Sequence, residues 1–566
     1  MAEHRARDVD PVTLEVVRNR LFNIAQEMGG YLRRTALAPV IKYADDFSTG
    51  LFTWDGRLIA QGRFEPAFLG CMPTVLNEIF AEYYPPEEWE PGDVVLTNDP
   101  YIGAGHFLDV FLFEPIFADG TLVGFTVDVA NHTDIGGRAP SKAIDAESWY
   151  EEGLHIPPVK LYENGTLQEG IMRTILTNVR ESETVEADID AQRAASELGK
   201  RRYRKLVEEH GFEKIQPYME EILDRSEAKM RTAIRRIPDG SYEFEERLDG
   251  IDEPLPIHVE VTVDDDELHL DYAGTADQLD DRPLNSTWSF TYANSMYAVK
   301  AALDLDTSNT GSANAPITMS VPERSLLNPE PPAPLDQRAE VLNHIVSAVF
   351  GALGEAGFEL PAAGAQKYHY RYIYKHPETG RRLGQLVDLN FSAAGGRPDG
   401  DGEPAVGGVQ NLKNTPVEVI EAQFPMRVDR YELLADTSGA GTHRGGSATI
   451  RERTFLTPTE IQSGCERFAF GPYGVRGGEP GVPGRAILNP ESDDPIDVGP
   501  HDSIRVETDD TLVTYSAGGG GYGDPEARPE RLVRRDVANG LVSPGTAREV
   551  YGVDVDVEPA PDFGSR

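Results

Sequence analysis

The sequence has few cysteines and few basic residues for its length. Two of its 566 residues are cysteine, Cys71 and Cys465, and they lie far apart without a CxxC spacing. A disulfide framework or a zinc site made of thiolates is therefore not expected. Lys and Arg number 53 against 95 Asp and Glu, which gives a formal net charge of −42. Without a basic stripe to neutralise phosphates, the chain is not expected to bind nucleic acid.

Long apolar runs are also missing. No run approaches the roughly 20 residues that a membrane-spanning helix needs, and the first eleven residues lack the apolar stretch of a signal peptide. We therefore predict a cytoplasmic protein without a membrane partner. The acidic residues are spread along the chain, which is typical of a surface kept soluble by self-repulsion. Such a surface suits a high-salt cytoplasm, where the Debye length is roughly 3 Å at 1 M, and it predicts a halophilic origin.

Motifs for nucleotide binding and for nucleophilic catalysis are missing as well. The chain has no Walker A loop, no strand–GxGxxG–helix pattern and no GxSxG elbow. The glycine-rich runs at 438–446 and 516–525 are interpreted as tight turns rather than phosphate cradles. DIGG at 134–137 is similar to the start of a phosphate loop in actin-like ATPases but continues as RAPSK. The chain therefore holds no complete ATP site, and activation of a substrate must come from elsewhere.

The N-terminal part combines a long helix with β-hairpins. Apolar residues recur at helical spacing over 11–38, which predicts an amphipathic helix. Two short apolar segments flank Asp55-Gly56, and two longer ones flank Asp119-Gly120. An Asp-Gly pair between apolar segments is a strong signal for a hairpin turn.

The rest of the chain alternates between helical and β patterns. A charged helical region is predicted over 181–236, broken at Pro217. The other expected elements are strands over 241–247 and 257–272, helices over 290–304 and 336–355, and a mostly β region over 416–516 before a short helical tail. We predict a large, multi-lobed mixed α/β (α+β) fold. Its expected parts are an N-terminal α/β part (1–237), a central α/β part (238–410) and a β-rich C-terminal part (411–566).

The segment from 97 to 137 carries the richest set of reactive side chains. His106 and Asp109 are three residues apart, and His132 follows 23 residues after Asp109, with Asp134 close behind. Imidazole and carboxylate are the ligands expected for zinc, manganese or iron. The competing interpretation is a hydrogen-bonded His–Asp turn in a glycine-rich loop. On their pattern alone Asp45, Asp46 and Asp55 are turn or surface residues.

Eight sequence blocks occur in the order found in the hydantoinase B/oxoprolinase family. They are DPVTLEVVRNRL, DFSTGLF with DGRLIAQ, PGDVVLTNDPY with GH and LDV, NHTDIGG, LLNPEPPAP, NTPVEVIEAQFPMRVDRYEL, GAGTHRGG and GGGGYGDP. The chain therefore resembles this family over nearly its whole length, from about residue 10 to 553. Family members include the B subunit of N-methylhydantoinase, the C-terminal half of 5-oxoprolinase and the metal-bearing subunit of acetone and acetophenone carboxylases.

The resemblance implies a hydantoinase B-like fold, a metal and a partner. It implies that His106, Asp109 and His132 bind a divalent metal (Mn, Zn or Fe), and that Asp46 and Asp134 are catalytic residues that act as a base or orient the imidazoles. It also implies an A-type hydantoinase subunit of actin-like ATPase fold, which binds ATP and phosphorylates the substrate.

Two departures from the family pattern leave the third metal ligand open. The family often has GGTH where this chain has Gly103-Ala104-Gly105-His106, and paired histidines where this chain has Asn131-His132.

The function implied is that of a B-type subunit of an ATP-dependent cyclic amide hydrolase. Its substrate would be hydantoin, N-methylhydantoin or 5-oxoproline, opened after the A-type subunit has phosphorylated it. A second possible function is that of the metal-bearing subunit of an ATP-dependent carboxylase acting on a ketone, but the chain's length favours the hydantoinase type. A non-catalytic scaffold for the A-type subunit and a free-standing hydrolase that does not use ATP are also compatible with the sequence.

Overall fold

The computed structural model describes residues 9–139, 142–250, 253–303, 310–364, 367–406 and 412–555. The chain is a mixture of helices and several β-sheets, which confirms the predicted fold class. It divides into two compact units. Unit 1 comprises Met1–Glu246, Pro256–Phe358 and Gln410–Lys413, and unit 2 comprises Arg247–Leu255, Glu359–Val409 and Asn414–Arg566. The division into three parts at 237/238 and 410/411 stays a prediction.

The elements follow one another along the chain as follows. The helices are α1 (Pro11–Thr35), α2 (Pro39–Lys42), α3 (Pro66–Glu78), α4 (Glu169–Asn178), α5 (Ser182–His210), α6 (Phe212–Ile234), α7 (Trp288–Ala302), α8 (Arg338–Glu355), α9 (Val417–Gln423), α10 (Glu530–Ala538) and α11 (Pro544–Glu549). The strands are β1 (Phe47–Thr53), β2 (Leu58–Gln61), β3 (Val94–Thr97), β4 (Asp109–Ala118), β5 (Thr121–Asn131), β6 (Val159–Glu163), β7 (Thr166–Leu167), β8 (Gly240–Leu248), β9 (Leu255–Asp264), β10 (Glu267–Asp271), β11 (Ile317–Ser320), β12 (Lys367–Lys375), β13 (Arg382–Phe391), β14 (Met426–Leu433), β15 (Thr449–Phe455), β16 (Thr459–Gly464), β17 (Arg485–Leu488), β18 (Ile496–Val498), β19 (Ser503–Val506) and β20 (Thr511–Tyr515).

Unit 1 is built around a seven-stranded sheet in the order β2-β1-β5-β4-β3-β6-β7. Helices α1 and α5 pack against each other and against this sheet, while α3 packs on β1 and on α7. All seven residues of β1 are buried, as expected for a strand covered on both faces. The apolar face predicted for α1 is the buried one, and it consists of Leu14, Val17, Leu21, Ile24, Met28 and Leu32.

The two predicted hairpins are confirmed. Strands β1 and β2 are joined through Gly56, whose φ is +85°. Strands β4 and β5 are joined through Asp119 (φ +49°) and Gly120 (φ +80°). Two consecutive residues with positive φ define the hairpin turn whose twist matches that of the flanking strands. The turn sets the pairing of Ala118 with Thr121, and an irregularity between Ile116 and Phe117 then shifts the register by one residue, so that Asp109 pairs with Asn131.

The predicted break at Pro217 is wrong. Pro217 lies inside α6, and the helical region is interrupted six residues earlier, at Gly211, whose φ is +81°. A glycine at positive φ ends a helix without steric cost, since it has no Cβ. Pro217 is the sixth residue of α6, so it removes the hydrogen bond that an N–H there would make to Glu213, but the helix continues through it.

Unit 2 contains a sheet ordered β13-β12-β16-β19 and a sheet ordered β14-β15-β20-β17-β18. Their shared core includes the four alternate tyrosines of β12: Tyr368, Tyr370, Tyr372 and Tyr374. The β-rich character expected of the C-terminal region is confirmed, although the region begins with a helix, α9.

The glycine run at 518–521 is not a set of tight turns, in contrast to the interpretation from the sequence. None of these four glycines has a positive φ. Each backbone N–H donates to a backbone carbonyl, at Val482, Gly446, Ala363 and Glu479 in turn. A Cβ on any of them would overlap a neighbouring carbonyl oxygen. The run therefore serves close packing of backbone on backbone, and its N–H groups are already used.

Candidate functional site

The register of three neighbouring strands brings the predicted residues together in unit 1. Asp109, the first residue of β4, pairs with Asn131, the last residue of β5. Strand β1 lies on the other side of β5, and the Asn131 N–H donates to the carbonyl of Asp46 (3.1 Å). The next residue, His132, donates its N–H to the carbonyl of Leu108 (2.8 Å). Asp46, Asp109 and His132 therefore lie at the same edge of the sheet.

His106 and Asp109 form a buried imidazole–carboxylate pair. Nδ1 of His106 lies 2.8 Å from Oδ2 of Asp109. The Nδ2 amide of Asn131 donates to Oδ1 of Asp109 (3.0 Å) and lies 3.4 Å from Nε2 of His106. A carboxylate only accepts hydrogen bonds, so Nδ1 carries the imidazole proton. The Nε2 lone pair of His106 is left with one long contact.

Arg338, the first residue of α8, completes this pair. Its Nη2 donates to Oδ2 of Asp109 (2.6 Å), its Nε donates to the carbonyl of Ala104, and its guanidinium lies over the ring of Phe290 at 4.2 Å. Gly105 has φ +83°, and a Cβ there would lie 2.9 Å from Cδ of Arg338. Only glycine fits between this backbone and the arginine.

The electrostatics of the pair favour a neutral imidazole next to an ionised carboxylate. Burial and the guanidinium of Arg338 lower the pKa of His106 to about 4, against the opposing charge of Asp109. Burial alone would raise the pKa of Asp109, but its contacts with His106 and Arg338 more than offset burial, and this pKa lies below its ordinary value. At neutral pH the imidazole is therefore in the form that binds a metal or accepts a proton.

His132 is held from the opposite side by α5. Its Nε2 lies 2.8 Å from Oε1 of Gln192, while its Nδ1 is buried and has no hydrogen-bond partner among the described residues. Burial lowers the pKa of His132, although the charge of Asp188 opposes the shift. This histidine is also neutral at neutral pH.

One face of α5 carries polar residues at four-residue spacing. Asp188 accepts from the backbone N–H groups of Leu37 and Ala38, Ser196 donates to Asp128 (2.7 Å), and Lys200 pairs with Glu114. With Gln192, these residues form a continuous buried polar stripe against β4 and β5. The helical pattern over 181–236 was predicted, but this stripe was not. Its signal in the sequence is the i, i+4 recurrence of polar residues at 188, 192, 196 and 200 on a helix that packs on a sheet.

The two predicted catalytic aspartates have different surroundings. Asp46 is half-buried, directly before β1 and next to Asn131 in space. Asp134 is fully buried, and its Oδ1 accepts from Nη1 of Arg180 (3.0 Å) and from the Gly136 N–H (3.1 Å). Asp134 thus ties the 134–137 loop to Arg180. Its catalytic role stays a prediction.

The fit of these residues to a divalent metal is partial. Within the described ranges no group of three or more His, Cys, Asp or Glu side chains is arranged to hold a metal ion. Both oxygens of Asp109 already accept from cationic or amide donors. In contrast, His106 and His132 are neutral imidazoles with one N–H held by a polar partner, which is the usual state of a histidine ligand. His132 leaves one ring nitrogen without a described partner, as a metal ligand would, and Asp109 fits the role of orienting the imidazole of His106. Metal binding by His106, Asp109 and His132 stays a prediction.

Comparison with known proteins places the chain in a family. The family model for hydantoinase B/oxoprolinase matches residues 10–525. The B subunit of a proposed D-/L-hydantoinase from Pseudomonas sp. strain NS671 is 31% identical over 572 residues, covering 97% of this chain and 96% of the relative. The chain belongs to the hydantoinase B/oxoprolinase family, as its sequence blocks indicated.

Two solved structures have the same fold. The crystal structure of the ATP-dependent caprolactamase of Pseudomonas jessenii has a TM-score of 0.89 at 29% identity and covers 97% of each chain. A nucleotide-free acetone carboxylase structure has a TM-score of 0.86 at 17% identity, covering 98% of this chain and 81% of the other. The second likeness, at this low identity, is one of fold alone. No helix within the described ranges is long and apolar enough to cross a membrane.

Proposed function

We propose that the chain is the B-type component of an ATP-dependent enzyme that opens a cyclic amide by hydrolysis, together with an A-type subunit of actin-like ATPase fold. The proposal is supported by relatives named as the B subunit of a hydantoinase and the beta subunit of a caprolactamase, each 31% identical to this chain over nearly its full length. The absence of any nucleotide-binding motif from the sequence is consistent with ATP being bound by the partner.

The observation that carries the proposal is that two neutral imidazoles, His106 and His132, and the half-buried Asp46 lie at one edge of the unit 1 sheet. His106 and His132 would hold a divalent metal, and Asp109 with Arg338 would keep the imidazole of His106 in its orientation. When bound, such a metal lowers the pKa of a water molecule or polarises a carbonyl oxygen. Asp46 would accept the proton of the attacking water; its support is that the residue is half-buried and lies at the same edge of the sheet.

The reaction needs prior activation, because an amide carbonyl is a poor electrophile. Phosphorylation of the amide oxygen by the A-type subunit would activate that carbon. One water would then add to it, and the ring C–N bond would break with a proton passing to the nitrogen, which leaves an acyl phosphate. A second water would hydrolyse the acyl phosphate to the carboxylate and free phosphate. Asp134 would act indirectly, by holding through Arg180 the loop that follows His132. The substrate class is a cyclic amide such as a hydantoin, 5-oxoproline or a lactam.

The test is a substrate screen with the full chain co-purified with its A-type subunit. Hydantoin, N-methylhydantoin, 5-oxoproline and caprolactam are each incubated with and without ATP, and ring-opened product is measured by mass spectrometry. We expect ATP-dependent ring opening of at least one of them. Asp46→Asn should abolish it, whereas Asp55→Asn, the same substitution at an exposed hairpin turn of unit 1, should not. Full activity in Asp46→Asn would remove Asp46 from the mechanism.

The same preparation distinguishes hydrolysis from the three competing functions. A carboxylase would incorporate labelled bicarbonate into a ketone in the presence of ATP. Hydrolysis is favoured because this chain is 29% identical to the caprolactamase chain and 17% identical to the acetone carboxylase chain. A scaffold would lose no activity in the Asp46→Asn and His106→Asn variants and would bind no metal. A free-standing hydrolase would open rings without the partner and without ATP.

A further inference from the structure

The amide of Gln192 has only one possible orientation. Its Nε2 lies 3.0 Å from the backbone carbonyl of Val110 and 2.8 Å from Oδ1 of Asp128. A carbonyl oxygen can only accept a hydrogen bond, so the atom facing Val110 must be the NH₂ group. Ser196 donates to the other oxygen of Asp128 (2.7 Å), which holds that carboxyl group in place. The Oε1 atom of Gln192 is therefore the one that faces His132.

This orientation determines which nitrogen of His132 carries the proton. Oε1 of Gln192 accepts only, and it lies 2.8 Å from Nε2 of His132. Two lone pairs at this distance would repel each other, so Nε2 must be the N–H. A neutral imidazole has one N–H, and Nδ1 is then unprotonated. In the other tautomer the N–H would be at Nδ1, where no acceptor is described, and the lone pair of Nε2 would face Oε1 of Gln192. Each of these would cost free energy.

We infer that Gln192 is a positioning residue that fixes His132 as its Nε2–H tautomer, so that Nδ1 is the atom His132 presents to a divalent cation. Two observations support this inference beyond the hydrogen bonds. Nδ1 is fully buried and has no hydrogen-bond partner among the described residues, and a buried polar atom of this kind can be satisfied by a bound water or ion. His106 shows the complementary arrangement, since its Nδ1 lies against Asp109 and its Nε2 has one long contact, with Asn131.

The tautomer itself follows from unit 1 alone, whereas the role of the cation rests on the proposed function. The two can fail separately. If His132 has the stated tautomer but the complex opens no ring, the proposed function fails and the positioning role of Gln192 stands.

The test uses the full chain labelled with ¹⁵N-histidine, in buffer of neutral pH with high KCl. Long-range ¹H–¹⁵N correlation spectra identify the tautomer of each ring, and a His132→Asn sample assigns the signals of His132. We expect the unprotonated nitrogen of His132 to couple strongly to Hε1 alone, which identifies it as Nδ1. An unprotonated Nε2 in the wild-type protein would overturn the inference, whatever any variant does.

Two variants test the part played by Gln192. In Gln192→Leu we expect a mixture of the two tautomers of His132, because the acceptor is lost. Ser196→Ala removes a neighbouring hydrogen bond of the same stripe without touching His132, and it should leave the tautomer unchanged. An unchanged tautomer in Gln192→Leu would contradict the positioning role.

The cation is tested on the same samples by adding Zn²⁺. We expect the wild-type Nδ1 resonance of His132 to shift, and at least a tenfold weaker affinity for Zn²⁺ in Gln192→Leu. A shift at Nε2 instead, or no binding at all, would refute Nδ1 as the ligand atom.

Discussion

Replacing Arg338 by methionine should destabilise unit 1 far more than an average substitution. The side chain of Arg338 is 5% exposed and that of Asp109 is 0% exposed, so the change leaves a buried carboxylate without its cation. Removing one partner of a buried ion pair typically costs about 3–5 kcal/mol. Methionine keeps an apolar stem over Phe290, so the loss reports mainly on the charge. The measurement is urea unfolding of the full chain, followed by intrinsic fluorescence.

Two control variants separate the charge from general effects of mutation. Arg324→Met removes an arginine whose side chain is 55% exposed and whose carboxylate partners, Asp280 and Glu330, are 72% and 50% exposed, so it should cost only about 0–1 kcal/mol. Asp109→Asn combined with Arg338→Met removes both charges and should be less unstable than Arg338→Met alone. An Arg338→Met loss no larger than that of Arg324→Met, or a double variant less stable than the single one, would refute the role of the buried pair.

Three further substitutions test the electrostatics and the packing. Burial lowers the pKa of Lys300 to about 8, so above this pH the unfolded chain binds more protons than the folded one, and the free energy of unfolding rises with pH. Lys300→Met should therefore add up to about 3 kcal/mol at pH 7, at about 1.4 kcal/mol per pKa unit. A denaturation series from pH 6 to 10 should show this gain shrinking. Burial raises the pKa of Asp128 well above its ordinary value, so ionisation of Asp128 opposes folding as pH rises. Asp128→Asn should therefore raise the melting temperature at pH 8 more than at pH 5. A lower melting temperature at both pH values would contradict this. A methyl group on Gly520 would overlap the carbonyl oxygen of Tyr473, whereas a methyl group on Gly384 would have open space. In urea unfolding, Gly520→Ala should therefore lower the free energy of unfolding by about 3 kcal/mol or more, and Gly384→Ala should leave it nearly unchanged.

The sequence predicts the edge of the sheet where the site lies, because local signals determine it. Asp119-Gly120 locates the β4–β5 hairpin and therefore the end of the hairpin at which Asp109 and Asn131 lie. The position of His106 three residues before Asp109 then follows from chain connectivity. Local turn chemistry is enough to locate this edge. It is not enough for the exact pairing, because the irregularity between Ile116 and Phe117 shifts the register by one residue from the one that the turn alone would set.

The residues that hold the histidines could not be predicted in this way. Arg338 is 229 positions from Asp109 along the chain, and Gln192 is 60 positions from His132. No local pattern links such distant positions, and a single polar residue on a helix is as easily a solvated one. The glycine run at 518–521 was misinterpreted for a related reason. A turn and a close approach of two backbones both require glycine, and only the partner segments distinguish them.

The most direct test of the proposed function is the stoichiometry of ATP use during ring opening. The full chain and its A-type subunit are purified as a complex, and ADP and ring-opened product are measured together with the best substrate of the screen. We expect one ADP per ring opened, no product when either subunit or ATP is omitted, and loss of product in His106→Asn with the complex intact. Ring opening by the chain alone without ATP, or undiminished activity in His106→Asn, would contradict the function proposed for this site.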